Sequence, residues 1–345
     1  MNGFIENNNM KIAIIYSLPT RRAVKSKFIA SDDDTVESAH EVEEALKEKG
    51  TEVFLVPVSE DDIDGTIRNI RADCIVNIID WTGLDLVLSI HTMDVLVATG
   101  IPFTGASRDA FERGADKILM KQTLDAHKLP TPRWQLFETG KELVTSNFSY
   151  PCIVKLAKEH CSVGLGERSI VNNGQELIAK VREQLITYKQ PVIVEEFLTG
   201  REFQITLLEE ETGLVMLPPA EVTYKVKGTR AMLSYESRWD EKHPDFHTSG
   251  MALATLTPQQ VQEFEKICKA TFRAFGFFDF TRIDARFNEK NQFMILEANA
   301  NPGLSHDPLY GMTVSYQAVG MTFADFVWKI VESCARRTRS IRIKK

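Results

Sequence analysis

Two β-rich runs, Thr281-Arg282-Ile283-Asp284 and Phe293-Met294-Ile295-Leu296-Glu297-Ala298-Asn299, flank the turn-forming cluster Asn288-Glu289-Lys290-Asn291. They read as a β-hairpin. A turn centred on that cluster pairs position 284 with 295 and 282 with 297. Side chains alternate faces along a strand, so Arg282, Asp284, Glu297 and Asn299 share one face. Two carboxylates, an amide and an arginine on one face need a reason. Hard oxygen donors suit Mg²⁺, which is usually held by one or two carboxylates plus substrate phosphates. Asp284, Glu297 and Asn299 are therefore the candidate metal ligands, with Arg282 able to grip a transferring phosphoryl group in bidentate fashion. The bland alternative is a solvated hairpin face with an internal Arg–Glu pair. The apolar runs that flank the face argue against it.

The 345 residues are too many for one small core and suggest two or three packed units. Hydrophobic residues at 43% and charged residues at 26% are ordinary for a soluble globular chain. A net charge of −7 excludes bulk attraction to nucleic acid. No apolar run approaches the roughly 18 to 20 residues that cross a bilayer, so no membrane association is expected. Residues 1–10 read as a frayed leader without signal-peptide pattern. Five cysteines, odd in number and without CxxC spacing, argue against a disulfide framework or structural zinc. The expected location is cytoplasmic. Residues 336–345 hold a basic cluster that reads as a solvated tail behind the last helix.

Short apolar β-branched runs at 11–16, 52–58 and 73–79 are separated by helix-length segments, one of them patterned as a helix from about Thr35 to Lys49. Such alternation predicts a parallel sheet covered on both faces. No GxGxxG follows the first strand, which argues against a dinucleotide site. Leu129-Pro130-Thr131-Pro132 marks a linker after a helix from Asp116 to Ala126. Strands are then expected at 151–156, 168–171, 192–195 and 202–208, with helices at 174–187, 258–275 and 322–335. Residues 221–255 are polar and poorly periodic, as a functional lid would be. The expected units are a leader at 1–10, an N-terminal domain at 11–105, a middle subdomain at 106–200, a catalytic subdomain at 201–335 and the tail.

Further motifs stand in a definite order before the hairpin. Ala115-Asp116-Lys117 opens a helix, and Pro151-Cys152-Ile153-Val154-Lys155 is a strand ending in a lysine. Ser162-Val163-Gly164-Leu165-Gly166 is a glycine loop, and Glu195-Glu196-Phe197-Leu198-Thr199-Gly200-Arg201-Glu202 follows a strand. Glu297-Ala298-Asn299-Ala300-Asn301-Pro302-Gly303 closes the set. Each is weak alone. In this order they resemble the ATP-grasp family and, within it, the D-alanine–D-alanine ligases, over most of residues 100–335. That resemblance implies an α/β ATP-grasp fold: a Rossmann-like N-terminal parallel sheet, a small middle α+β lid domain and a C-terminal α+β catalytic domain. It implies an ATP-dependent ligase that joins a carboxylate to an amine through an acyl phosphate, with ATP and Mg²⁺ (or Mn²⁺) as cofactors, small-molecule substrates and a homodimer. Lys117 and Lys155 would neutralise the triphosphate, and the backbone at Gly164 and Gly166 would cradle it. Glu195, Glu196, Phe197 and Leu198 would form the adenine hinge, with Glu202 on the ribose. Arg282, Lys155, Ser162 and Gly303 would serve the chemical step.

The chain departs from the pattern where the amino-acid substrates bind. The family's Gly-Ser-Ser-Val-Gly loop is replaced by His160-Cys161-Ser162-Val163-Gly164. Arg238-Trp239 stands where Lys-Tyr is expected, so the usual serine–tyrosine–glutamate triad is broken. The N-terminal glutamate motif is missing too. Glu37 is the nearest substitute, and Arg21, Arg22 and Arg238 are cations near the expected pocket. A cation is a poor neighbour for an ammonium group. D-alanine alone is therefore expected to be a weak substrate. Cys161 reads as a space-filler rather than a nucleophile, because acyl-phosphate chemistry needs none. A different amide ligase, or a nucleotide-binding regulator that has lost turnover, are the rival readings.

Overall fold

A computed structural model describes residues 10–145 and 148–343. The chain opens with β1 (Lys11–Ser17), α1 (Ile29–Glu48), β2 (Glu52–Val58), α2 (Ile63–Arg68), β3 (Cys74–Ile78) and α3 (Leu86–Thr99). The three strands form a parallel sheet in the order β2-β1-β3. Every residue of β1 after Lys11 is buried. Ile12, Ile14 and Tyr16 enter one core with Val42 and Leu46 of α1, whereas Ala13 and Ile15 enter another with Met93 and Leu96 of α3. A strand buried on both faces explains the unbroken apolar run.

Two helices, α4 (Arg108–Ala115) and α5 (Lys117–Ala126), lead to the middle sheet. Asp116 caps α5 by accepting hydrogen bonds from the Ile118 and Leu119 N–H groups. The middle sheet contains β4 (Trp134–Phe137), β5 (Cys152–Leu156) and β6 (Ile170–Val171). After α6 (Gly174–Tyr188), β7 (Val192–Glu196) completes it in the antiparallel order β4-β7-β5-β6.

The third sheet begins with β8 (Glu202–Glu210), β9 (Gly213–Met216) and β10 (Ala220–Tyr224). A short helix, α7 (Tyr235–Trp239), and β11 (Ser249–Leu253) follow, so the segment expected as a lid carries structure of its own. Next come α8 (Pro258–Phe275), β12 (Phe280–Phe287) and β13 (Phe293–Asn299). The strand order is β11-β10-β8-β12-β13, with β9 beside β8. Thr257 caps α8 through a reciprocal capping box with Gln260, and Gly276 ends it at φ +72°. The chain closes with α9 (Gly311–Gln317) and α10 (Phe323–Ile343).

Three expectations need correction. Helix α1 begins at Ile29 rather than Thr35, so Asp34 lies within the helix. The last helix does not stop at 335. Arg336 donates to the Glu209 carbonyl at 3.0 Å, and Arg337 pairs at 2.9 Å with fully buried Asp279, so both belong to the fold rather than to a solvated tail. Buried Asp279 demands a cation, and extending α10 supplies it. The hairpin register also differs: Arg282 lies opposite Asn299 and Asp284 opposite Glu297, and a bulge follows before Ala285 meets Ile295. The expected leader lies outside the described residues except Met10. So do the side chains of the basic cluster beyond Thr338. Among the described residues, no helix is long and apolar enough to cross a membrane.

Candidate active site

The bulge at Leu296 brings the expected hairpin face together more closely than alternation alone predicts. It absorbs one extra residue and places the Asp284 and Glu297 side chains directly opposite. Arg282 holds Asp284 through two hydrogen bonds, at 2.7 and 2.9 Å. Asn299 donates its Nδ2 to Asp284 Oδ2 at 3.2 Å, leaving its own carbonyl oxygen as an acceptor. Burial pushes the Asp284 carboxyl up, with Arg282 pulling the other way. Burial also works against the charge on Glu297, but Lys117 and Lys155 win and hold it well below the usual carboxylate range. Two partly buried carboxylates and an amide oxygen on one face are a donor set that fits Mg²⁺.

The lysines come from two other elements. Lys117, the first residue of α5, reaches Glu297 at 3.1 Å. Lys155 on β5 reaches Glu195 Oε2 at 3.0 Å. A third lysine, not singled out in the sequence, stands one turn beyond Lys117: fully buried Lys121 approaches Glu195 Oε1 at 3.1 Å. Its four-residue spacing from Lys117 was the available signal. Burial pushes the Lys121 pKa down, while Glu195, despite burial, is lowered by Lys121 and Lys155. The Glu195 side chain thus spaces two lysines, and the hinge residues Glu196, Phe197 and Leu198 line the cleft beside it. Glu196 accepts the Ser149 N–H at 3.0 Å.

The glycine loop is held in an unusual backbone conformation. Cys161 and Ser162 both have positive φ, at 51° and 62°, ahead of Gly164 at 74°. Two consecutive non-glycine residues in that region are costly and need outside support. The 230–239 segment supplies it. Ser162 donates its hydroxyl to the Leu233 carbonyl at 2.7 Å, and the Trp239 indole donates to the Cys161 carbonyl at 3.0 Å. Tyr235 N–H donates to the Leu165 carbonyl at 3.1 Å. Loop and segment are therefore tied without the family's usual triad. Burial pushes the Cys161 thiol up to about 12, so it is not a thiolate nucleophile. Burial and Lys117 push His160 down to about 4, leaving a neutral ring beside the Ala115 carbonyl.

One cleft joins these groups to Gly303 and to an acidic and basic end that includes Asp34, Asp80, Arg238 and Tyr310. Tyr310 donates its hydroxyl to Asp34 at 2.6 Å, linking α1 to the segment after Asn301-Pro302-Gly303. Glu37 is exposed and outside the cleft, so Asp34 is the acid that α1 presents. Of the three arginines considered, only Arg238 lines the cleft; Arg21 pairs with Asp61, and Arg22 with Asp85.

Residues 124–332 match the family model described as the D-ala D-ala ligase C-terminus. The chain belongs to that family. It is an ATP-grasp carbon–nitrogen ligase. A D-alanine–D-alanine ligase of Pseudomonas entomophila is 28% identical over 311 residues, 89% of this chain and 91% of the relative. One from Pseudothermotoga lettingae is 26% identical over 320 residues, 88% and 95% of the two chains. The fold resembles the Bacillus anthracis D-alanine–D-alanine ligase complexed with ATP, at a TM-score of 0.72 and 18% identity over 96% of this chain and 99% of that one. It also resembles the VanG D-Ala:D-Ser ligase of Enterococcus faecalis, at 0.73 and 15% over 94% and 99%.

Proposed function

We propose that this ligase joins a small carboxylate to an amine through an acyl phosphate, using ATP and Mg²⁺ and releasing ADP and phosphate. The observation that carries the reading is the hairpin face, where opposed Asp284 and Glu297 stand beside Arg282 and Lys117. Asp284, Glu297 and Asn299 would hold Mg²⁺, or Mn²⁺ in its place. When bound, the ion supplies positive charge to the triphosphate. Lys117 and Lys155 add point charges, and the Gly164–Gly166 backbone approaches the phosphates. Phe197 and Leu198 border the adenine, with Glu195 and Glu196 fixing the lysines and the hinge, and Glu202 meets the ribose. A carboxylate oxygen attacks the γ-phosphorus and ADP leaves, while Arg282 stabilises the charge on the phosphoryl group in transfer. The amine then attacks the acyl carbon, phosphate departs, and loss of a proton leaves the amide. Ser162, through its tie to Leu233, keeps the glycine loop closed and water away, and Gly303 borders the donor carboxylate.

Binding of nucleotide tests this reading directly. MgATP at 100-fold excess over its dissociation constant should raise the melting temperature by roughly 5 °C, since only the folded form binds. Lys155→Ala should blunt that rise. A wild-type melting temperature unmoved by millimolar MgATP would sink the nucleotide reading.

The substrate end supports an amino-acid donor with an additional anionic partner. Asp34 is an acid for an ammonium group. Arg238 makes no hydrogen bond or ion pair among the described residues; its guanidinium lies 5.2 Å from the Trp239 ring. A partly buried cation of this kind favours an anion. D-alanine alone should therefore release phosphate more slowly than mixtures containing D- or L-amino acids with acidic side chains. Efficient, saturable synthesis of D-alanyl-D-alanine would show this substrate reading wrong. The same proposal carries a cytoplasmic location and a homodimer, which sedimentation would test.

A further inference from the structure

Arg286 stands two residues beyond Asp284 and four beyond Arg282 on β12, so it shares their face and lines the same cleft. It is 3% exposed and lies opposite Glu202 in the β12–β8 ladder. Its guanidinium is divided among three partners. Nε donates to Glu202 Oε2 at 2.8 Å, Nη1 to the Leu198 carbonyl at 2.6 Å, and Nη2 to the Ala231 carbonyl. The rings of Phe197 and Tyr224 lie 5.3 and 5.5 Å from it. The Tyr224 hydroxyl donates to the same Glu202 oxygen at 2.6 Å. Both donors therefore occupy Oε2, and Glu202 Oε1 has no hydrogen-bond partner among the described residues.

A buried arginine so fully used has a structural explanation: it compensates one buried carboxylate. That explanation does not account for where its other two bonds go. One fixes the last residue of the hinge. The other fixes the start of the segment that ties down the glycine loop through Leu233 and Trp239. A planar fork can hold a carboxylate and two carbonyls in fixed relative positions, which a lysine ammonium cannot.

We propose that Arg286 is a positioning residue for the nucleotide sugar: with Tyr224 it immobilises Glu202 so that Oε1 alone is offered to a ribose hydroxyl. The inference rests on the nucleotide reading of the cleft. By the same bonds Arg286 keeps the hinge and the 230–239 segment in register with that carboxylate. Discrimination between ribose and deoxyribose is then a property of Arg286 as much as of Glu202.

The experiment compares steady-state phosphate release with ATP, 2′-deoxyATP and 3′-deoxyATP for wild type, R286K, R286M and Y224F. Wild type should prefer ATP over at least one deoxy analogue by about tenfold or more in kcat/KM, the effect of one charge-assisted hydrogen bond. In R286M the KM for ATP should rise toward that of the analogue, with kcat changing less, and the preference should collapse. R286K should recover part of it, and Y224F should lose part. Melting temperatures report folding for each variant. Should R286M not fold, R286K and Y224F carry the test. A wild type indifferent to both hydroxyls, or folded variants that all keep the wild-type preference, would overturn the proposal. Failure of wild type to bind MgATP would instead remove the nucleotide reading itself.

Discussion

Replacing Glu297 by glutamine is expected to lower Mg²⁺-dependent turnover by at least about 100-fold, the scale of losing one ligand or one charge-stabilising group in a closed site. The side chain keeps its volume but loses the anionic oxygen that faces Asp284 across the hairpin. It also takes the carboxylate away from Lys117, 3.1 Å away, so some fall in melting temperature is expected. The discriminating measurement is therefore the metal dependence of phosphate release, not the rate at a single Mg²⁺ concentration. The variant should need far more Mg²⁺ to approach its own maximum. Near-normal turnover at limiting Mg²⁺ would exclude Glu297 from the metal site.

The second large effect concerns Arg282. Its two bonds to Asp284 hold the guanidinium in a fixed plane; burial works against its charge, but the Asp284 carboxylate beside it wins and keeps it protonated throughout the accessible pH range. Arg282→Lys preserves the charge and removes the fork. If Arg282 stabilises the phosphoryl group during transfer, kcat should fall by about 100-fold while the KM for ATP changes much less. If Arg282 only compensates Asp284, the loss should appear in the melting temperature, with kcat nearly unchanged. Measuring kcat, KM and melting temperature on the same preparations separates the two. Arg282→Met, which also leaves Asp284 without its cation, should be worse on both counts.

The rival of a regulator without turnover makes the opposite forecast for both variants, since it predicts no rate to lose. The arrangement of the site argues against it. Buried charges are costly unless they are paired, yet this cleft keeps Lys117, Lys121, Lys155 and Arg282 close to Glu195, Glu297 and Asp284. A protein that needed only to bind nucleotide would have less use for an arginine locked beside the opposed Asp284 and Glu297.

The sequence by itself determined the elements whose signals are local. The run at 258–275 announced α8, whose cap at Thr257 and left-handed stop at Gly276 are properties of a few adjacent residues. The unbroken apolar run of β1 implied burial on both faces, and the hairpin alternation put Arg282, Asp284, Glu297 and Asn299 together. Register was less legible. A bulge at Leu296 is a compromise between β13 and its partner, and no property of residue 296 alone announces it.

Only the tertiary structure decided which side chains complete the cleft. Asp34 meets Tyr310 across 276 positions, and Arg286 meets Glu202 across 84 and Ala231 across 55. Glu37 read as the nearest substitute for the missing glutamate, but on α1 it is exposed and outside the cleft, which Asp34 lines instead. Lys121 reads as an ordinary helical lysine until the middle sheet brings Glu195 against it. Arg336 and Arg337 resembled a solvated tail until α10 laid them beside β8 and buried Asp279. The physical reason is clearest for the buried ion pairs of Lys121, Arg286 and Arg337. Charge compensation is governed by distance in space, and a short stretch of sequence specifies only the neighbours it carries along the chain.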